Sequence, residues 1–192
     1  MNIISLKLAV TATWIALLLF VTGCSSVYVS QPIGEKPHVL DKADWEGYWL
    51  VHPELDKKPN MLHVKVVDAN EGRLQLACFD EDATSLKIYE ATVRESGSNG
   101  LLFITMPDPD GGEKLGRMLW GCLGRGEDLA LVWVPDAEKF GKLVRDGKLR
   151  GKLVEKNVFL EPPTAEELKI LVTDSRSLFY WGAPAICHRV AR

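Results

Sequence analysis

The chain has 192 residues, and its 23 basic and 26 acidic side chains give a formal net charge of −3. A mildly acidic chain lacks the basic signature of nucleic-acid-binding proteins, so we expect no nucleic-acid partner. The length and an apolar content of 46% suit one folded domain with its own core.

An uncharged apolar segment follows Lys7 and runs from Leu8 to Val21. It has about 14 residues, fewer than the ~20 that a helix needs to cross a bilayer core. A positive residue, a short apolar stretch and small residues after it are typical of a secretory signal peptide. The sequence therefore predicts that residues 1–23 are a signal peptide and are removed.

Val21-Thr22-Gly23-Cys24 ends this segment and resembles the lipobox of bacterial lipoproteins. The resemblance implies cleavage between Gly23 and Cys24, and a diacylglyceryl group with a further acyl chain such as palmitate on Cys24. Three acyl chains exceed the two signals that stable anchoring requires. Ser25, directly after the cysteine, is similar to the residue preferred at this position in outer-membrane lipoproteins of enteric-type bacteria. This resemblance implies an outer-membrane protein that faces the periplasm. The alternative is an ordinary secretory signal in which Cys24 has no role.

Residues 24–43 are rich in Ser, Pro, Gly and charged residues. Such a composition does not build a core, so the sequence predicts a lipidated N-terminus and a flexible tether that spaces the domain from the membrane. Removal of the first 23 of 192 residues leaves 169, and residues 44–192 are expected to form a single β-rich domain.

Three cysteines remain beyond Cys24, all in strand-like apolar contexts: Cys78, Cys122 and Cys187. An exported protein meets an oxidising compartment, where two of the three could form one disulfide. Three buried, unpaired thiols are the other interpretation, and the sequence does not select a pair.

Seven strand-like segments with alternating apolar residues follow one another, joined by turns of hairpin length. Turn signals include Asn70-Glu71-Gly72 and Gly97-Ser98-Asn99-Gly100. The segments are Asp44–Val51, Leu62–Val67, Arg73–Cys78, Leu86–Arg94, Leu101–Met106, Gly116–Gly124 and Leu129–Val134. This pattern predicts an antiparallel meander, and a meander of this length must curl or close to protect its edge strands.

Gly47-Tyr48-Trp49 lies in the first of these segments and is similar to the Gly-x-Trp motif of lipocalins. The resemblance implies a lipocalin-like barrel or half-barrel over Asp44–Val134. A standard lipocalin has eight strands before its helix, whereas this chain shows seven strands, then a helix, then further strands. The chain also resembles small envelope lipoproteins of Gram-negative bacteria.

Two amphipathic helices are predicted in the C-terminal half, which gives a mainly β fold with added α structure. Asp136 suits the N-cap of the first helix, over Asp136–Asp146, and Gly147 suits its end. Thr164 and Glu167 form a capping box for the second helix. A last strand is predicted over Ile186–Val190.

Seven basic residues lie within eighteen positions of an otherwise acidic chain: Lys139, Lys142, Arg145, Lys148, Arg150, Lys152 and Lys156. A solvated helix face and linker is the simpler interpretation. A patch for anionic lipid headgroups or another envelope polyanion is the alternative.

The sequence contains no motif for catalysis or metal binding. A nucleophile elbow, G-x-S-x-G, is absent, and the four histidines lack paired metal-ligand spacing. Cys187 and His188 are adjacent and would point to opposite faces of a strand. Asp108, Asp110 and Glu113 match only part of a calcium loop, which favours a hairpin tip. We therefore predict no catalytic residues, no metal and no cofactor; an unrecognised hydrolase-type enzyme is the least favoured hypothesis.

Five tryptophans fall in or beside predicted strands, where they are expected to fill the core: Trp45, Trp49, Trp120, Trp133 and Trp181. If the barrel is open at one end, Trp49, Trp120 and Trp133 would line a pocket. The leading hypothesis is a non-enzymatic, membrane-anchored lipoprotein that binds a small lipophilic ligand or an envelope component. The alternative is a structural or assembly accessory that binds another envelope protein and has no cavity.

Overall fold

The computed structural model describes residues 25–52, 58–79, 85–109 and 116–191. The predicted signal peptide and the lipobox residues Gly23 and Cys24 lie outside the described residues. The helices are α1 (Lys42–Trp45), α2 (Ala137–Arg145), α3 (Ala165–Thr173) and α4 (Ser175–Leu178). The strands are β1 (Val27–Val29), β2 (Lys36–Pro37), β3 (Gly47–His52), β4 (Asn60–Asp68), β5 (Arg73–Phe79), β6 (Leu86–Ser96), β7 (Leu101–Pro107), β8 (Met118–Arg125), β9 (Leu129–Trp133), β10 (Gly151–Val154), β11 (Asn157–Leu160) and β12 (Ala185–Ala191).

Eight of the strands form a closed antiparallel barrel, so the fold is mainly β and lipocalin-like, with a few short helices. The order around the barrel is β3-β4-β5-β6-β7-β8-β9-β12, and β12 pairs back with β3. The seven predicted strands are β3 to β9, and the predicted last strand is the eighth. Closure removes the exposed edges that an open meander would leave. The predicted mainly β fold is therefore confirmed, as a full barrel.

Side chains alternate between the two faces of each strand, and those that point inward fill the barrel interior. β3 sends Trp49 and Val51 inward, and Cys187 on β12 lies opposite Val51. Equivalent positions on the other strands supply branched apolar side chains, including Leu62, Val64, Leu74, Leu76, Val93, Ile104, Leu123 and Val132. All of these side chains are buried, and removal of their apolar area from water stabilises the barrel.

A second core lies outside the barrel, against the outer faces of β7 and β8. Trp120 points away from the barrel interior because it alternates with the inward-facing Leu119. Phe140 of α2 and Phe179 after α4 pack on Trp120, each with ring centroids 5.5 Å away. The segment between β9 and β12, which contains α2, β10, β11, α3 and α4, thus folds back over one side of the barrel.

Both predicted C-terminal helices are present, and their caps explain where they begin. Asp136 Oδ1 accepts hydrogen bonds from two backbone N–H groups in the first turn of α2. Thr164 Oγ1 accepts from the Glu167 N–H at 3.2 Å, and Glu167 Oε2 accepts from the Thr164 N–H at 2.7 Å. The predicted capping box is therefore confirmed. Glu167 also accepts hydrogen bonds from Arg150, which ties α3 to the start of β10.

The prediction of a flexible tether over residues 24–43 is wrong for the part that the structure describes. β1 pairs in parallel with β11 and antiparallel with β8, and Val27, Tyr28 and Val29 are all buried. Ile33 and Leu40 are buried further along, and β2 pairs with β6. The polar composition was misleading because three consecutive apolar residues make a strand when two partner strands are in place. Residues 26–43 are therefore part of the folded domain, which the sequence predicted to begin at residue 44.

Candidate functional site

The barrel encloses a small apolar cavity, which is the candidate ligand site. Its open space is about 50 Å³, enough for roughly four water molecules at most. Sites for drug-sized ligands have about 300–1,000 Å³, so this cavity, as the described residues form it, is too small for such a ligand. The lining comes from α1 and seven barrel strands: Trp45, Trp49, Leu62, Val64, Leu74, Leu76, Ile104, Leu123, Arg125, Ala130, Val132 and Cys187.

Helix α1 covers one end of the barrel, which we call the covered end. Asp41 Oδ1 caps the helix by accepting from the Ala43 N–H, and Trp45 at its last residue is buried above the cavity. Trp49 Nε1 donates to the Trp45 carbonyl at 3.2 Å. Gly47, between the two tryptophans, has φ of +133°, a conformation that favours glycine. The Gly-x-Trp segment thus turns the chain from α1 into the barrel wall.

Two arginines close the covered end around these tryptophans. The Arg125 guanidinium carbon lies 5.2 Å from the Trp45 ring centroid and 5.1 Å from that of Trp49. The Arg189 guanidinium carbon lies 5.6 Å from the Trp49 centroid. These distances are within the range of cation–π attraction. Trp49 is therefore held between the α1 backbone and two positive charges.

The same arginines tie α1 to the β8–β9 turn. Arg189 donates to the carbonyl of Ala43 at 2.6 Å, to that of Glu127 at 3.1 Å and to Asp128 Oδ1 at 2.7 Å. Arg125 donates to the carbonyls of Asp44 and Glu127. Burial, and then the charge of Arg189, lower the pKa of Arg125. Most hydrogen-bond acceptors of the two guanidinium groups are backbone carbonyl oxygens. The two arginines therefore have a structural role, since they hold α1 over this end of the barrel.

The three tryptophans predicted to share a pocket are not brought together. Trp49 lines the barrel cavity. Trp120 lies in the second core, packed on Phe103 at 5.8 Å between ring centroids. Trp133 also lies on the outer side, where its Nε1 donates to the Trp181 carbonyl at 3.2 Å. Parity explains the separation, because Trp120 and Trp133 occupy positions that alternate with the inward-facing residues of β8 and β9.

Cys78, Cys122 and Cys187 are free, buried thiols. Cys78 and Cys187 belong to the barrel core and Cys122 belongs to the second core. Burial raises the pKa of Cys187 to about 12 and the pKa of Cys122 to about 12. Because a thiol must ionise to act as a nucleophile or a metal ligand, these cysteines are poorly suited to either role near neutral pH.

The remaining polar candidates are spread over the surface. Cys187 faces the barrel interior while His188 is exposed, so the predicted opposite orientation is confirmed. The rings of His52 and His188 lie 6.2 Å apart on the outer surface. Within residues 25–52, 58–79, 85–109 and 116–191, no group of three His, Cys, Asp or Glu side chains is placed to share a metal ion.

Asp108, from the partial calcium-loop pattern, is buried at the end of β7. Its Oδ2 pairs with Arg117 Nη2 at 2.8 Å across the base of the β7–β8 hairpin, and the Arg117 guanidinium lies 5.0 Å from the Tyr28 ring centroid. Asp108 therefore braces a hairpin and β1. Asp110 and Glu113 lie outside the described residues.

Large apolar side chains are exposed on the outer faces of β3, β4 and β6, on the side of the barrel away from the second core. Four large side chains there are 46–56% exposed: Tyr48, Met61, Leu86 and Ile88. Ile88 lies opposite Ala77, and Tyr48 packs on His63 with ring centroids 4.8 Å apart. We call the four side chains the outer apolar row. Several exposed large apolar side chains on one side of a barrel are typical of an interaction site.

Arg125 and Arg189 are the site residues that the sequence reasoning missed. The signal was present, because each has the same strand parity as an inward-facing residue, Leu123 and Cys187 respectively. A charged residue at an inward position near a strand end suggests a cap on the barrel rather than a solvent contact.

In the ranges that the structure covers, no helix combines the length and apolar character needed to span a membrane. Comparison of the chain with protein-family models, curated proteins and solved structures finds no match.

Proposed function

We propose that the chain is a lipid-anchored, non-enzymatic protein of the bacterial outer membrane that faces the periplasm and binds another envelope protein. The lipobox residues Val21 to Cys24 support the anchor. The observation that carries the binding role is the outer apolar row, on a barrel whose described cavity has only about 50 Å³. An exposed apolar surface costs free energy in water, and a partner that covers it removes this cost.

The anchor is tested by a substitution at the acceptor thiol. Cys24→Ala removes the only atom that can receive the diacylglyceryl group, so we expect the variant to accumulate as unprocessed precursor without the mass of the acyl chains. Ser25→Ala keeps the thiol and is expected to be processed normally. Intact-protein mass spectrometry of membrane extracts measures both. Normal processing of Cys24→Ala would refute the anchor.

The protein-binding role is tested by site-specific photo-crosslinking in cells. A photo-reactive residue at Ile88 is expected to give one discrete adduct, and the same residue at Lys169, which is exposed on α3 across the barrel, is expected to give none. Met61→Glu places a charge inside the outer apolar row and should remove the Ile88 adduct at unchanged protein level. Identical adducts from both positions, or an Ile88 adduct that survives Met61→Glu, contradict the proposal.

A second candidate is the binding of a small apolar ligand in the barrel, favoured by a cavity lined almost entirely by apolar side chains. Its volume restricts a ligand to a few non-hydrogen atoms unless side chains move. We expect native mass spectrometry of the full-length protein from envelope extract to show an added mass that Ala130→Trp, which fills the cavity, abolishes. An unchanged mass in both proteins would exclude this candidate.

A further inference from the structure

The first described residues fix where the chain enters the domain. Ser26 N–H donates to Asn157 Oδ1 at 2.9 Å, and the Ser26 carbonyl accepts from the Val158 N–H at 2.9 Å. Val27 then lies opposite Val158 in the parallel β1–β11 pair. The backbone is therefore held from Ser26 onward, beside the start of β11.

Covalent geometry limits the distance between this entry point and Cys24. Two residue steps separate Cys24 from Ser26 and span at most about 7 Å, since each step covers no more than ~3.6 Å. A free tether of the twenty residues from 24 to 43 would instead reach roughly 70 Å by the same rule. A lipid on Cys24 would therefore hold the β1–β11 side of the domain against the bilayer surface.

The β10–β11 hairpin is the part of the fold next to this entry point. Since β1 and β11 run in parallel, the N-terminal end of β1 lies on the side of the turn formed by Glu155 and Lys156. The hairpin exposes two apolar side chains, Leu153 at 38% and Val154 at 45%. The two residues are adjacent on β10 and therefore point to opposite faces of the hairpin, Leu153 towards α2. We call this end of the hairpin, with its turn, the tip; a lipid on Cys24 would place it beside the bilayer.

Basic side chains outnumber acidic ones around this tip, where the exposed acidic residues are Glu155 of the turn itself and Asp146 at the end of α2. Lys152 and Lys156 lie on the hairpin itself, and Gly141 of α2 packs against Leu153, which brings Lys142 and Arg145 beside it. These four basic residues are exposed, and they form no ion pair with any residue that the structure describes. Arg150, by contrast, is paired with Glu161 and Glu167. Exposed cations around a small apolar tip suit a surface of anionic headgroups.

We propose that this surface, formed by Lys142, Arg145, Lys152, Leu153 and Lys156, is the membrane-facing side of the domain and binds anionic lipid headgroups. The proposal rests on the proposed Cys24 anchor. It places the outer apolar row away from the membrane, since β4 to β6 lie across the barrel from β8 and β1. A partner could then reach the row from the aqueous side.

The test uses the full-length, lipidated protein reconstituted into vesicles. Lys156→Cys and Glu71→Cys each add one exposed thiol for a fluorophore, because the other described cysteines are buried; Glu71 lies on the β4–β5 turn across the barrel. Spin-labelled headgroup lipids then quench each fluorophore. We expect quenching at position 156 to be several-fold stronger than at 71, to increase when phosphatidylglycerol replaces phosphatidylcholine, and to decrease with Lys152→Glu.

Two failures are distinguishable in this experiment. If the protein does not co-sediment with vesicles after a carbonate wash, the anchor itself is refuted and this inference falls with it. If the protein is anchored but positions 156 and 71 are quenched equally, the proposed orientation is overturned while the anchor stands. Quenching at 156 that is insensitive to lipid charge and to Lys152→Glu overturns the headgroup contact, for which an envelope protein partner would be the replacement.

Discussion

At the residue scale, the carboxyl group of Glu167 has the largest pKa shift among the carboxyl groups that the structure describes. Burial opposes its ionisation, but hydrogen bonds from the Arg150 side chain and from the Thr164 and Arg150 backbone outweigh this effect and lower its pKa to about 2. One side chain therefore caps α3 and fixes the residue that leads into β10. The ionised form is the one that the fold requires.

Glu167→Gln is expected to lower the free energy of unfolding at pH 7 by about 2–3 kcal/mol. Because the folded-state pKa lies below the ordinary value of 4.5, this stabilisation is complete above pH 4.5 and is lost as the pH falls towards 2. The unfolding free energy of the variant, measured with urea, should thus not show the fall between pH 4.5 and pH 2 that the wild-type protein shows. Glu166→Gln, at the exposed neighbour, is the matched control and should keep it; equal profiles for wild type and Glu167→Gln contradict the assignment.

At the scale of elements, β1 connects two parts of the fold although it has only three residues. Its three residues join the barrel, through β8, to the hairpin that covers the second core, through β11. Val29 pairs with Leu160 in one strand and with Met118 in the other. Loss of β1 would therefore expose an edge of both partners.

Val29→Asp should destabilise the domain by about 3 kcal/mol or more, because it places a charge where the wild-type side chain is only 3% exposed. Val39→Asp is the control from the same segment. Val39 is 65% exposed, so we expect a change within about 0.5 kcal/mol. Denaturant melts of both variants measure the difference, and a neutral Val29→Asp would mean that residues 25–43 are a tether after all.

Local pattern explains which elements were predictable. The seven strands β3 to β9 were predicted because alternation and turn residues are properties of neighbouring positions, and the capping box of Thr164 and Glu167 is local as well. Strand β1 was missed because its pairing with β11 joins residues 131 apart, and no local pattern encodes such a partner. The cavity was mispredicted for Trp120 and Trp133, since inward and outward faces are assigned only when the register is known.

At the scale of the whole molecule, the barrel depends on its last strand. β12 lies between β3 and β9, and Cys187 fills the interior while its neighbour His188 faces outward. The barrel core and the second core lie on opposite faces of β7 and β8, which both cores share. We therefore expect the domain to unfold as one cooperative unit, with the second core unfolding together with the barrel.

Cys187→Asp is expected to destabilise the whole domain by about 3 kcal/mol or more, because it buries a carboxylate among apolar residues. His188→Asp, one position away on the exposed face, should change the unfolding free energy by about 0.5 kcal/mol or less. Tryptophan fluorescence during urea unfolding follows both cores. If Cys187→Asp melts the barrel while the second core stays folded, the single-unit description is wrong.

The position of β12 also sets the order of events when the chain is made. β3 and β9 remain without their shared neighbour until residues 185–191, the last that the structure describes, become available. A chain emerging residue by residue therefore exposes two open strand edges throughout its synthesis. Closure of the barrel therefore has to wait for these residues, whereas the hairpins of β3 to β9 can pair before them. We expect closure to be the slow step of folding, because β12 pairs with β3 across more than a hundred intervening residues.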